Sequence, residues 1–338
     1  MANGLNSQPR TWLHSSGVSS CDWLTSIEHL LTNRKCEVLL STTKMHVDEI
    51  NTDVTLVSRL LAAQFPQWAN LSIEPVHSAG TDNAIYRLGE DMAVRLPRIH
   101  WAIEDVHKEH QWLPKLAPLL PLAIPVPLAK GAPGEGYPWH WSVYPWLKGK
   151  NVAIKDIADP NLFTKELAQF VAALHRIDFS DGPLASRGVP LAMRDAPTRA
   201  AIENLHGLID VDAATSLWEA SLKIPEWRGP SVWVHGDISP GNLLVVDGRL
   251  SAVIDFGGLG VGDPACDLIV AWNLLSADIR KIFRAALKID DATWARGRGW
   301  ALSVALIQLP YYLDTNPVIV ANARHVIAEV LADHNANG

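Results

Sequence analysis

Cysteine, methionine and positive charge are what this sequence has least of. Three cysteines in 338 residues (Cys21, Cys36 and Cys266) exclude a disulfide framework and a four-cysteine zinc site, and lead us to expect a reducing, cytoplasmic setting. Twenty-nine Lys and Arg stand against 36 Asp and Glu, a net charge of −7, so the basic stripe of a nucleic-acid binder is missing. No apolar run approaches the roughly 18 residues of a membrane span. The opening stretch lacks the charged start and apolar core of a signal peptide. No internal repeat supports a fibre. What is abundant is apolar: 48% of residues are hydrophobic and 14 are tryptophan. That excludes disorder and suffices for about two domains of some 150 residues each.

Residues 1–44 are rich in Ser, Thr and Asn and show no sustained period, whereas the texture changes at Met45. We therefore expect an N-terminal extension over 1–44 and a domain that begins at Met45. Ile50, Val54, Val57, Leu60 and Leu61 recur at helical spacing and predict a helix within 48–65. Strand-like runs follow at 71–76, 84–88 and 92–96, then a helical stretch at 103–116. Prolines at 114, 118, 121, 125, 127, 133 and 138 then predict loop and edge strand rather than helix. A strand over 141–147 ends at Gly149, which sets the boundary between a small β-rich lobe, 45–148, and a larger helical lobe, 149–338. In the second lobe 162–177 reads as a helix, 243–246 and 251–254 as strands joined by Asp247-Gly248, and 265–331 as mostly helical.

The chemistry concentrates in His235-Gly236-Asp237-Ile238-Ser239-Pro240-Gly241-Asn242, followed after a short hairpin by Ile254-Asp255-Phe256-Gly257. A hairpin folds its two ends together, so Asn242 and Asp255 can face one point. An amide oxygen and a carboxylate suit Mg²⁺, a hard cation that completes its octahedron with phosphate and water. Asp237 is then free to orient, or take a proton from, an attacking hydroxyl. This is the layout of a kinase catalytic loop followed by a metal-binding Asp-Phe-Gly.

With Gly262-Asp263-Pro264 and Asp267-Leu268 added, the pattern resembles the aminoglycoside phosphotransferase family, which shares its fold with protein kinases and includes macrolide, choline and homoserine kinases. The resemblance runs through nearly all of 45–331. It implies an α+β, two-lobed, protein-kinase-like fold with a small β-rich N-lobe and a larger helical C-lobe. It implies Asp237 as catalytic base, Asn242 and Asp255 as Mg²⁺ ligands, and ATP or GTP as co-substrate. Ser78, Gly80 and Asn83 fall where such enzymes cover the nucleotide phosphates. Arg95 stands where most have a phosphate-contacting lysine, a planar fork replacing a point charge. Glu109 is its expected ion-pair partner. Tyr144 and Trp146, flanking Pro145, are the expected sources of backbone groups for the purine. Asp263 and Asp267 are expected to cap and anchor the next helix, with Asp263 also a candidate border of the acceptor pocket.

The acceptor is expected to be a small hydroxyl compound, an aminoglycoside or macrolide antibiotic before choline, homoserine or a sugar. A catalytically silent nucleotide-binding module is the alternative of another class. Asp195, Glu203, Asp210, Asp212, Glu219 and Glu226 suit a polycation, whereas Trp272, Trp294, Trp300, Tyr311 and Tyr312 suit an apolar face. The glycines from Gly257 to Gly262 lack dinucleotide-binding spacing, and no P-loop motif occurs. His107 and His110, three apart on a helix, fit surface or core roles better than metal ligation.

Overall fold

Asp53 sets the start of the first helix in the computed structural model, which describes residues 44, 46, 48–77, 80–178 and 181–337. Its carboxylate accepts from the Leu56 amide at 2.7 Å, satisfying a donor that has no partner inside the helix. Helix α1 (Val54–Gln64) then buries Leu56, Val57, Leu60 and Leu61 along one face. The expected helix starts earlier, because Ile50 follows the same period; its amide instead donates to Arg98 O. The extension expected over 1–44 lies outside the described residues, Lys44 apart.

Strands β1 (Ile73–Pro75), β2 (Asn83–Leu88), β3 (Met92–Pro97), β4 (Ala129–Gly131) and β5 (Trp141–Pro145) form one antiparallel sheet in the order β1-β2-β3-β5-β4. Ala84, Tyr86 and Leu88 are buried while their neighbours in β2 are not, the period-two pattern of a sheet covered on one face. They pack with α1 in a first hydrophobic cluster that also holds Val94, Leu96, Trp141 and Val143. Helix α2 (Ile103–Leu116) follows the sheet's third strand. The prolines divide: β4 is the expected edge strand, but Pro114 sits inside the last turn of α2. Proline there removes the donor that would reach the His110 carbonyl, and the full burial of Leu113 and Leu116 outweighs that one lost bond.

The helical part comprises α3 (Pro160–His175), α4 (Asp195–Glu203), α5 (Val211–Leu222), α6 (Val270–Asn273), α7 (Ala277–Leu287), α8 (Asp291–Tyr311) and α9 (Pro317–Asn337). Helix α8 buries most of its residues from Thr293 to Leu309, and accordingly packs against α4, α5, α9 and the 3₁₀ turn Pro264–Ile269. A second, larger cluster runs from Trp112 to Val330. Two small sheets lie within this part: β6 (Lys150–Asn151) with the hairpin β8 (Leu243–Val246) and β9 (Arg249–Val253), and the antiparallel pair β7 (Val232–Val234) and β10 (Gly260–Gly262). Asp247 (φ 50°) and Gly248 (φ 78°) are both left-handed, the type I′ turn that matches strand twist. β7 and β10 have only three residues each, too few for a period to show in sequence. Among the described residues no helix is long and apolar enough to cross a membrane.

His325 on α9 gives this packing a pH dependence. Burial, and then repulsion from Arg280, lower its pKa from 6.5 to about 3. The unfolded chain thus binds a proton over that interval which the folded chain refuses. Stability is therefore full above pH 6.5 and is lost as pH falls toward 3. At pH 4.5, two units below the unfolded value, the loss from this residue is about 3 kcal/mol. Urea unfolding at pH 7 and pH 4.5 should show a smaller acid loss in His325→Gln than in the wild type; equal losses would refute the assignment.

Candidate active site

The loop from His235 to Asn242 leaves β7 through a turn that requires glycine. Gly236 has φ +79°, and a Cβ there would lie 2.8 Å from Gly258 O. Asp267, fully buried, accepts from the His235 amide at 3.1 Å and the Gly236 amide at 2.8 Å, and bonds His175 Nε2 at 3.0 Å. It thus holds the loop upstream of it, whereas the expected helix-capping role belongs to Asp263, which accepts from the Ala265 amide at 2.9 Å. Asp263 also pairs with buried Arg296 at 2.7 Å, which commits its second oxygen to the core and not to an acceptor pocket. His235 Nδ1 accepts from the Asp237 amide, so its proton sits on Nε2 and is donated to Ile254 O at 3.0 Å.

Asn242 donates through Nδ2 to Asp237 O at 2.8 Å and to Asp237 Oδ2 at 3.2 Å. Both partners are acceptors, which fixes the amide and turns its oxygen away from Asp237. Its carbonyl accepts from the Ile254 amide at 2.9 Å, so the hairpin ends are tied together as its turn predicts. Asp255 follows in the left-handed region, φ 64°, a conformation that costs a non-glycine residue energy and marks a constrained site. Burial raises the Asp255 pKa, and the carboxylates of Asp237 and Glu109 add to this against the opposing pull of Arg95. Asn242 Oδ1 and Asp255 Oδ2 accept no hydrogen bond among the described residues. Two uncommitted hard oxygens, in a place where negative charge is crowded, fit Mg²⁺.

Arg95 links the sheet to this hairpin. Its Nη1 donates to both Glu109 oxygens, at 2.6 and 2.8 Å, and its Nη2 to Asp255 Oδ1 at 2.8 Å. The expected Arg95–Glu109 pair is therefore present, with Glu109 only 1% exposed. Asn83, with its amide oxygen turned inward, accepts from Arg95 Nε at 3.2 Å and Nη2 at 2.9 Å. A lysine has one ammonium and could not span these partners. The Tyr144 hydroxyl donates to Glu109 Oε2. The Trp146 amide donates to Asp91 O at 2.6 Å, extending the β3–β5 ladder, so that N–H is taken and is not a donor for a purine. The Trp146 ring stacks under Arg87 at 4.1 Å. Gly80 lies in an exposed loop, and Ser78 falls outside the described residues.

Three features had no local signal in the sequence. Arg187, 50 residues upstream of Asp237, pairs with Asp237 Oδ1 and donates to Gly236 O at 2.9 Å. Burial alone would raise the Asp237 pKa, but the Arg187 charge and hydrogen bond hold it below the ordinary value. Asp105, one helical turn before Glu109, pairs with Lys108, which also donates to Gly257 O. The third is a clasp between the sheet and the end of α8. Tyr312 donates to Thr81 Oγ1 at 3.2 Å, His46 Nε2 lies 3.4 Å from Asp82 Oδ1, and His46 Nδ1 is 2.8 Å from the Tyr311 hydroxyl.

The residues expected to meet the acceptor are largely engaged elsewhere. Asp195 accepts from Arg199 and Trp218, Glu219 pairs with Arg199, and Asp210 caps α5. Trp272 and Trp300 are fully buried and Trp294 nearly so, which makes them core; Tyr311 is 53% exposed, but its hydroxyl is bonded to His46 as that of Tyr312 is to Thr81. His107 and His110 take Lys130 and Ser142 as partners.

The model of the phosphotransferase enzyme family matches residues 73–300. The chain belongs to this family. Among curated phosphotransferases, an aminoglycoside 3′-phosphotransferase of Escherichia coli is 34% identical over 118 residues, 32% of this chain and 42% of that protein. Another from Niallia circulans is 30% identical over 138 residues, 39% of this chain and 52% of that protein. The chain thus matches only about half the length of these phosphotransferases, or less. Among solved structures, the GDP complex of aminoglycoside 2′-phosphotransferase-IIIa superimposes with TM-score 0.70 at 18% identity, covering 84% of this chain and all of that one. A macrolide 2′-phosphotransferase from Brachybacterium faecium gives TM-score 0.55 at 24% identity, covering 82% and 98%. Both share the two-lobed, kinase-like phosphotransferase fold.

Proposed function

We propose that this phosphotransferase-family chain transfers the γ-phosphoryl group of ATP or GTP to a hydroxyl of a small molecule, an aminoglycoside or macrolide antibiotic. The observation that carries the reading is the convergence of Asp237, Asn242 and Asp255 through the hydrogen bonds of one loop and one hairpin. Asp237, kept ionised beside Arg187, accepts the acceptor's O–H and orients its oxygen for attack. Asn242 and Asp255 would hold Mg²⁺, which supplies positive charge to the nucleotide phosphates. Residues 45–148 form the nucleotide-binding lobe in this reading, and 149–338 the catalytic and acceptor-binding lobe. The antibiotic class rests on the relatives named above. The single cysteine among the described residues, Cys266, is a buried free thiol, consistent with a cytoplasmic enzyme.

The purified chain should be given Mg²⁺, ATP or GTP, and a panel of aminoglycosides, macrolides, choline, homoserine and hexoses. Release of ADP or GDP, with acceptor mass increased by one phosphoryl group, is expected for an antibiotic. Product only with choline, homoserine or a sugar would overturn the antibiotic assignment. Nucleotide binding with no product on any hydroxyl would overturn the enzymatic one.

A further inference from the structure

The cation nearest Asp237 is one that the catalytic motifs do not contain. Arg187 belongs to the loop between α3 and α4, and the backbone fixes that loop. The Val261 amide donates to Pro183 O at 2.7 Å, the Ala185 amide to Val261 O at 3.1 Å, and the Asp263 amide to Gly188 O at 2.8 Å. The approach is so close that a Cβ at Gly260 would lie 2.5 Å from Ala185 backbone, and one at Gly262 would lie 2.6 Å from Gly188 O. β10 therefore holds the loop along both its strand edge and its glycines, and the guanidinium is delivered to Asp237 without help from its own ion pair.

The pair is also not what holds the fold there. Its side chains are 26% and 40% exposed, and an ion pair so open to water contributes at most about 1 kcal/mol. Only Nη1 of Arg187 is engaged, by Asp237 Oδ1 and Gly236 O. Nε and Nη2 donate no hydrogen bond among the described residues, which leaves three N–H groups of a rigid fork unused. The guanidinium also feels the charge of Asp82 in the loop preceding β2. Arg95, the other guanidinium of the site, is fully committed to Glu109, Asp255 and Asn83.

We propose that Arg187 is a catalytic residue whose free N–H groups bind the oxygens of the phosphoryl group in flight, while Nη1 holds Asp237. This rests on the phosphotransferase reading. In the transfer a bond forms between the acceptor oxygen and the γ-phosphorus. The bond from that phosphorus to the β,γ-bridging oxygen breaks, and its electron pair leaves with the nucleoside diphosphate. The acceptor's proton passes to Asp237 and then to solvent. Negative charge on the three equatorial oxygens is what a fork-shaped, always-protonated side chain stabilises. A guanidinium fixed before the substrate arrives needs no reorganisation at the moment of reaction.

The test uses Arg187→Ala and Arg187→Lys in the full chain, with ADP, Mg²⁺ and aluminium fluoride as a mimic of the transferring phosphoryl group. Arg187→Ala should bind ADP and Mg²⁺ as the wild type does, yet lose about 10²–10³-fold in affinity for the aluminium fluoride complex and in turnover. Arg187→Lys, which keeps the charge without the fork, should fall between. Added guanidinium ion should restore part of the turnover of Arg187→Ala and none in the wild type. Unchanged aluminium fluoride binding in Arg187→Ala would overturn the inference, as would a rise in acceptor KM with kcat retained. A wild type that forms no aluminium fluoride complex would instead refute the phosphotransferase reading beneath it. Should Arg187→Ala fail to fold, Arg187→Lys carries the same comparison.

Discussion

Asp237→Ala should lower turnover on any phosphorylated acceptor by about a thousandfold or more, at the upper end of what a positioned acid–base group contributes. The loss should fall on kcat, because in the proposed reaction Asp237 meets the attacking hydroxyl and not the nucleotide. Its neighbours explain why the fold should survive. The carboxylate is 40% exposed, and the bond it accepts from Asn242 Nδ2 is duplicated by the one to its own carbonyl. Its removal also relieves the repulsion that raises the Asp255 pKa. Thermal unfolding should therefore shift by only a few degrees, since about 1 kcal/mol moves the midpoint little in a chain of this size. Wild-type phosphorylation by this variant would refute the assignment of Asp237.

Asp267→Ala should damage both stability and activity, for a different reason. Asp267 is fully buried and its oxygens are the partners of two backbone amides, those of His235 and Gly236. Alanine leaves both donors without water or protein acceptors, at about 1–3 kcal/mol each. The expected destabilisation is thus roughly 2–6 kcal/mol, a large share of the stability of any domain. Gly236 would no longer be held at its left-handed angle, and Asp237 would lose its aim. Asp267→Asn, which keeps one acceptor oxygen, should recover part of both losses. Urea denaturation and turnover measured together decide the matter: an unshifted midpoint in Asp267→Ala would show that the loop is held by something else.

What could be read in advance was whatever is coded locally. The Asp247-Gly248 turn carries its own left-handed requirement, so the hairpin and the closeness of Asn242 to Asp255 follow from adjacent residues. The Arg95–Glu109 pair was expected from the family resemblance, and the structure has it, a strand and the next helix bringing the two side chains together. Arg187 was not, since its role depends on two runs of backbone hydrogen bonds to β10, a strand of three residues. Asp267 was misread for a related reason: a carboxylate beside a helix start looks like a cap until the loop 30 residues earlier is seen to fold onto it. Pro114 broke the proline rule because burial of its helical neighbours decided the last turn. Trp272 and Trp300 look alike in sequence whether they face a ligand or a core; only packing separates the two.

Thr81 bonded to Tyr312, and His46 set between Asp82 and Tyr311, give the space between the lobes a second fastening. One edge is closed by the chain itself, past Trp146, and cannot part. The other is closed by two side-chain hydrogen bonds, each worth about 1 kcal/mol net, and by the approach of His46 to Asp82. The molecule is in this sense a ring with one permanent link and one removable link. None of His46, Thr81, Asp82, Tyr311 and Tyr312 belongs to either hydrophobic cluster, so in the proposed reaction this link can open for a nucleotide and its diphosphate with both clusters intact.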